Sequence, residues 1–198
     1  EREAALGGQA RVTTHAPRYG DLARWLDWQA RRLSRLGVAV HTGRAADPDA
    51  VVAAGADVVV VATGARPRRP ALPGADAPFV HDIRDLLTGR AQAGPRIAIV
   101  AQDDHMAPLT LADFLSERGH EVTLVYPTNG PAPLVGRYIL GAILGRLGAR
   151  EVRFRFMEAV VAIEPGALRV RHVYAGVEKR IDGFDSIALA CGGVPDAA

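Results

Sequence analysis

The chain has 198 residues, 48% of them hydrophobic and 23% charged, with a formal net charge of +2. That is enough apolar chain to bury a sizeable core in one large or two small domains, and too little net charge for bulk attraction to nucleic acid or membrane. The single cysteine, Cys191, excludes an intrachain disulfide framework and any all-cysteine metal or iron–sulfur site within these residues.

The pI near 9.0 reflects arginine, since Lys179 is the only lysine. No apolar run reaches the roughly 18 residues that a membrane span needs. The opening Glu1-Arg2-Glu3 is not a signal peptide, and with no initiator methionine the N-terminus reads as processed or truncated. The expected compartment is the cytoplasm.

In chain order, residues 20–36 form a helix, with Leu22, Trp25, Leu26, Leu33 and Leu36 near a 3.6 period. Gly37 stops it. Residues 38–40 (VAV) form a short strand. Pro48 after Asp47 opens a short helix through Ala53. Residues 57–62 (DVVVVA) are a continuous apolar run, the pattern of a strand buried on both faces. Residues 66–78 change character, with four prolines and Arg66, Arg68 and Arg69, and read as a crossing segment. A helix over 81–87 precedes a second α/β unit. That unit has strand 96–101, helix 108–118 closed by Gly119, strand 121–126 and helix 134–147. Strands around 152–156, 159–164, 168–174 and 178–181 alternate like antiparallel neighbours. A final buried run, 186–191, leads into Gly192-Gly193. Short β-branched runs alternating with longer amphipathic segments predict parallel sheets with crossover helices.

Three constellations stand out. Glu1 precedes Leu6-Gly7-Gly8-Gln9. An acidic residue at the end of a second strand accepts hydrogen bonds from ribose hydroxyls, and adjacent glycines let backbone amides approach phosphate. Residues 57–65 deliver a Thr63-Gly64 turn at the carboxyl end of a strand, where open α/β sheets bind ligands. Residues 184–193 echo it, with Pro195 and Asp196 following. Each constellation also fits a plain turn or core strand. Trp25 and Trp28 share a helix face that suits either core packing or docking on another domain. The six histidines show no metal spacing, and the three serines no nucleophile elbow, so no metal site and no catalytic residue is assigned. Arg66, Arg68 and Arg69 suit a phosphate grip or a solvated surface.

Taken together, these motifs resemble the C-terminal nucleotide-binding half of the old yellow enzyme-like NADH:flavin oxidoreductases, the trimethylamine dehydrogenase and 2,4-dienoyl-CoA reductase group. The resemblance covers essentially the whole chain. It implies an α/β fold of two Rossmann-like, glutathione reductase-type FAD/NAD(P)-binding domains in three layers. The first domain (1–92) is incomplete at its N-terminus and the second (93–198) is degenerate, the chain being truncated at both ends. It implies that Glu1 binds ribose, that Gly7, Gly8 and Gln9 lie along the phosphates, and that Thr63 and Gly64 form the turn after the closing strand. The family's first glycine fingerprint belongs just before Glu1. A second belongs after strand 96–101, where Gln102-Asp103-Asp104-His105-Met106-Ala107-Pro108 contains no glycine. That stretch resembles the amine-dehydrogenase branch, whose second domain binds no nicotinamide; Asp103 and Asp104 also fit acids at a helix start.

By resemblance, FAD or ADP binds in this region, while FMN and an iron–sulfur cluster belong to an upstream barrel of the same polypeptide. The implied parent is an amine dehydrogenase, demethylase or enoate reductase. Its implied partners are that barrel, an electron-transferring flavoprotein and further copies of itself, with no nucleic acid or membrane. The alternative is a non-catalytic module that docks the parent's oligomer or electron acceptor. On either reading the isolated fragment is expected to be inactive.

Overall fold

The computed structural model describes residues 1–196. The chain forms two compact units: Glu1–Arg66 together with the described residues from Pro195 onward, and Pro67–Val194.

The second unit is a three-layer α/β structure. Its central sheet has the order β2-β9-β3-β4-β5, from β2 (Val80–Asp82), β3 (Arg96–Ala101), β4 (Glu121–Val125), β5 (Arg153–Arg155) and β9 (Ser186–Ala190). Every neighbouring pair is parallel. β3, β4 and β9 therefore carry mostly apolar runs, because strands with neighbours on both sides and layers on both faces leave few positions for polar side chains; Thr123 and Ser186 are the buried exceptions. Ala98, Val100, Val125, Ile187 and Leu189 pack with Val160, Ile163, Leu168 and Val170. Those partners belong to an antiparallel sheet of β6 (Glu158–Glu164), β7 (Ala167–His172) and β8 (Glu178–Asp182). The alternate residues Ile97, Ile99 and Leu124 are equally buried. By the two-residue period they face the side covered by α5 (Ala107–Ser116), which packs between α4 (Ile83–Thr88) and α6 (Arg137–Ala149). Each such side chain contributes roughly 1.5–3 kcal/mol on burial.

Residues 67–92, read from sequence with the first domain, lie in this second unit. Ile163 donates its amide to Pro73 at 2.8 Å. At Gly74, φ is +83° and an added Cβ would stand 2.0 Å from the Ile163 carbonyl oxygen, so only glycine fits. The expected antiparallel strand at 152–156 is instead β5, parallel to β4. β1 (Ala65–Pro67) and β10 (Gly193–Pro195) form a separate two-stranded sheet.

The first unit holds α1 (Gly8–Thr13), α2 (Gly20–Arg35) and α3 (Pro48–Ala53). The expected helix over 20–36 is thus present, and α3 starts at the proline with Asp47 capping the Ala50 amide at 2.8 Å. Two expected strands are absent: neither 38–40 nor 57–62 is extended into a ladder. The reason is pairing. A strand exists through hydrogen bonds to a neighbour, and among the described residues nothing pairs with 57–62. Val58 and Val60 are 79% and 84% exposed. Trp25 and Trp28 are about half exposed, so they do not pack in a core; Leu26 is the buried residue of α2, and Arg32 stacks over Trp28.

Candidate functional site

Within the first unit the sequence-derived residues fall into linked clusters. Gly7 has φ +120°, and an added Cβ would press against Leu26 at 3.2 Å. The glycine is required by backbone conformation and by the approach of α2. Gly8 at φ +47° starts α1 and has open space beside its Cα. Arg11 fastens this turn, donating from Nε to the Leu6 carbonyl at 2.7 Å and reaching Asp27 at 3.3 Å. Gln9, one residue into the helix, donates its side-chain amide to the Ala65 carbonyl at 2.9 Å. Gly64 sits at φ +81° beside the same Gln9 amide, with exposed Thr63 preceding it. Gly8, Gln9, Thr63 and Gly64 are therefore brought into one neighbourhood.

Glu1 lies on a different contact. Its amino group donates to the His41 carbonyl at 3.0 Å, and the Arg44 amide donates back to the Glu1 carbonyl at 3.1 Å. Its carboxylate is exposed, with Oε1 accepting the Glu3 amide at 2.9 Å. Arg2 reaches Asp196 at 3.7 Å, and the Asp196 amide donates to the Gly64 carbonyl at 3.0 Å. Arg66 pairs with the same carboxylate at 3.0 Å. Asp196 therefore links the Glu1 end to the Gly64 turn, a connection sequence reasoning missed because positions 2, 66 and 196 are remote in the chain.

None of the three arginines of the crossing segment is an unpaired surface cation. Arg68 donates from Nε to the Cys191 carbonyl at 2.7 Å, and Arg69 to the Ala75 carbonyl at 2.8 Å.

In the second unit, the turn between β3 and α5 has its own chemistry. The amides of Gln102 and Asp103 both donate to the Ala190 carbonyl, at 2.9 and 3.0 Å. The Asp103 carboxylate accepts the His105 amide at 2.8 Å and lies 3.2 Å from the His105 ring. Asp103 and Asp104 precede α5 and are not part of its first turn, which contains no acid. The Leu134 amide closes over the turn onto the Asp104 carbonyl at 3.1 Å. Tyr126, at the end of β4, is 1% exposed, and its hydroxyl has no partner among the described residues. Burial, reinforced by Asp103 and Asp104, holds its pKa above the usual phenol value. Among the described residues no group of His, Cys, Asp and Glu side chains is arranged to hold a metal, and no helix is long and apolar enough to cross a membrane.

Comparison with known proteins gives the family. Residues 37–198 match the family model described as pyridine nucleotide-disulphide oxidoreductase. The chain belongs to that family. It is an oxidoreductase-type, nucleotide-binding flavoprotein domain with a Rossmann-like fold. A probable N-methylproline demethylase of Rhizobium meliloti (strain 1021) is 30% identical over 193 residues, covering 96% of this chain and 28% of the relative. A multifunctional alkene reductase/demethylase of Caballeronia cordobensis is 38% identical over 140 residues, 69% of this chain and 20% of the relative. The chain thus spans less than a third of these curated relatives. Among solved structures, a 2-naphthoyl-CoA reductase complex superposes with a TM-score of 0.89 at 21% identity, covering 100% of this chain and 29% of the other. Histamine dehydrogenase from Rhizobium sp. 4-9 gives 0.85 at 22% identity, covering 99% of this chain and 32% of the other. At those identities the structural match carries the fold. These proteins are the group to which the sequence motifs point.

Proposed function

We propose that the chain is the nucleotide-binding region of a larger flavin-dependent oxidoreductase, holding FAD or ADP in its first unit. The observation that carries this reading is the Gly64 turn. It is left-handed, fastened by Gln9 and by the Asp196 amide, and linked through Asp196 and Arg2 to the acidic residue at position 1. Gly8 and Gly64 expose backbone that a ligand can approach without a Cβ in the way. The exposed Glu1 carboxylate has one oxygen available for ribose hydroxyls. These residues fit an adenine dinucleotide or ADP, and their task is binding and orientation; a bound flavin would supply the electron-transfer chemistry.

The second unit has the architecture of a pyridine-nucleotide domain without its phosphate turn. The Gln102 and Asp103 amides are engaged by Ala190, and a carboxylate occupies the turn. Electrons therefore pass elsewhere in the parent enzyme. By resemblance the parent carries FMN and an iron–sulfur cluster in an upstream barrel. It acts in the cytoplasm on a small amine, N-methylated amino acid or enoate, as a homo-oligomer that delivers to an electron-transferring flavoprotein. The 198-residue chain alone has no turnover on this reading, and NADH-dependent reduction of an artificial acceptor above a heat-killed control refutes that.

The direct test is the adenine-nucleotide content of the full-length gene product. A carboxylate accepting from ribose hydroxyls makes charge-assisted bonds of roughly 1.5–3 kcal/mol each. Glu1→Ala should lower retained nucleotide at least about tenfold, the equivalent of ~1.4 kcal/mol. Unchanged FAD or ADP content places the site elsewhere. A second reading, a docking module without nucleotide, draws on the half-exposed Trp25 and Trp28 of α2. It is the one that survives if the wild-type protein contains no adenine.

A further inference from the structure

We propose that Asp196 is a positioning residue of the nucleotide site, holding the Arg66 and Arg2 guanidinium groups beside the Thr63-Gly64 turn as preset counter-charges for a nucleotide diphosphate. This rests on the nucleotide-site reading above and adds three residues to it.

Asp196 makes three contacts, all within the first unit. Its amide donates to the Gly64 carbonyl at 3.0 Å, Oδ1 takes Arg66 Nε at 3.0 Å, and Oδ2 lies 3.7 Å from Arg2 Nη1. The same residue therefore fixes the turn and both cations. Its side chain is 19% exposed, whereas Arg66 and Arg2 are 62% and 68% exposed. A shielded carboxylate anchoring two solvent-facing guanidinium groups is an oriented arrangement. Arg66 is bound through Nε and is 62% exposed, and Arg presents its donors in the planar fork that matches phosphate oxygens. Counting charges, two arginines and one aspartate leave a surplus of one positive charge next to the turn. Gln9 holds the far side of that turn at the Ala65 carbonyl, so the backbone from which Arg66 extends is itself anchored beside Gly64. Orienting donors before the ligand arrives removes an ordering cost from binding.

The sign of the mutational effect separates positioning from plain electrostatics. Asp196 is negative. If it acted only as a charge, Asp196→Asn would strengthen attraction for a phosphate. If it positions the arginines, the same change weakens diphosphate binding. A purely structural role would lower affinity for every adenine ligand together.

The experiment uses the full-length gene product freed of bound nucleotide, titrated with ADP and with adenosine. The variants are Asp196→Asn, Asp196→Glu and Arg66→Gln. Wild type is expected to bind ADP. Asp196→Asn and Arg66→Gln are each expected to weaken ADP at least fivefold while leaving adenosine within twofold, with Asp196→Glu recovering most of the loss. Tighter or unchanged ADP binding in Asp196→Asn, or equal losses for ADP and adenosine, overturns the role of Asp196 and leaves the nucleotide site standing. A wild-type protein that binds neither ligand removes the site and the proposal together.

Discussion

The Gln102 amide donates to the carbonyl oxygen of Ala190 at 2.9 Å, and the Asp103 amide joins it at 3.0 Å. In a dinucleotide site those two amides, at the carboxyl end of the first strand, are free to face phosphate. Their engagement by β9 removes two donors, each bond to a charged oxygen being worth roughly 1.5–3 kcal/mol. The expected outcome is that neither NADH nor NADPH binds the second unit. Calorimetric titration of the 198-residue chain with both cofactors checks it. Micromolar heats that vanish in an Asp103→Ala, Asp104→Ala double variant restore a pyridine-nucleotide reductase.

Four consecutive valines, Val58 to Val61, stand exposed with no ladder on either side among the described residues. An unpaired apolar strand-like run is a template for pairing with another chain. The 198-residue chain should therefore self-associate as its concentration rises. Placing charge on this run blocks edge-to-edge pairing, so Val59→Lys with Val61→Lys should keep the chain monomeric without changing the melting of the second unit. Sedimentation velocity over a range of concentrations reads this directly. A wild-type chain that stays monomeric throughout counts against it.

That same run shows where the sequence was legible. RIAIVA at 96–101 and DVVVVA at 57–62 have the same apolar pattern, yet only the first is a strand. β3 has β4 and β9 beside it; residues 57–62 have no neighbour. An apolar run states that a segment wants burial, not whether its partner is present. Helix α2 was readable because its bonds are internal to the segment. Most of the second unit was readable because its strands carry their partners within the chain. Gly7, Gly8, Gln9, Thr63 and Gly64 stand out in the sequence as glycine turns, and the resemblance supplies the roles expected of them. The contacts of Asp196 were not legible, because its partners lie at positions 2, 64 and 66 and only folding brings them together. The Asp103 contact with the His105 amide was equally hidden, since a carboxylate before a helix reads alike whether it faces solvent or its own turn.

Asp113 on α5 is 2% exposed and receives Arg146 of α6 at 2.6 Å and Arg150, the residue just after α6, at 2.7 Å. Burial opposes its ionisation, but hydrogen bonds from Arg146 and then Arg150 outweigh it, leaving its pKa below the usual carboxylate value. The sign follows from linkage. A carboxyl with a depressed folded-state pKa stabilises above its unfolded value, and the contribution is lost as pH falls through the folded one. Removing one partner of a buried pair costs about 3–5 kcal/mol; both arginines retain access to water, so the lower end applies. Asp113→Asn should be destabilised by about 3 kcal/mol at neutral pH, with the gap to wild type closing below the ordinary aspartate range. Urea denaturation at several pH values measures it. A gap independent of pH means that the carboxylate charge is not what joins α5 to α6.

Cys191 closes β9 inside the core, 3% exposed, with its sulfur against the Val100 carbonyl. Burial is the main cause that pushes its thiol up to about 11; Arg68 opposes this, while Asp82 and Asp103 add to it. The thiolate is the reactive species. At pH 8 a thiol near 11 is about one part in a thousand thiolate, against roughly a quarter for an ordinary thiol near 8.5. Burial then withholds even that fraction from reagents. A disulfide reagent such as dithionitrobenzoate should therefore find essentially no thiol in the native chain and one equivalent after guanidinium unfolding, since the sequence has one cysteine. Opening the core around β9 should raise the native rate. Leu189→Ala, which removes a neighbour from the same cluster, costs about 2–5 kcal/mol as a core truncation. It should speed labelling up to about tenfold for each ~1.4 kcal/mol of lost stability when opening is fast relative to reaction. Rapid stoichiometric labelling of the native wild type at pH 8 shows instead that Cys191 is accessible, and that the carboxyl end of β9 is not sealed as described.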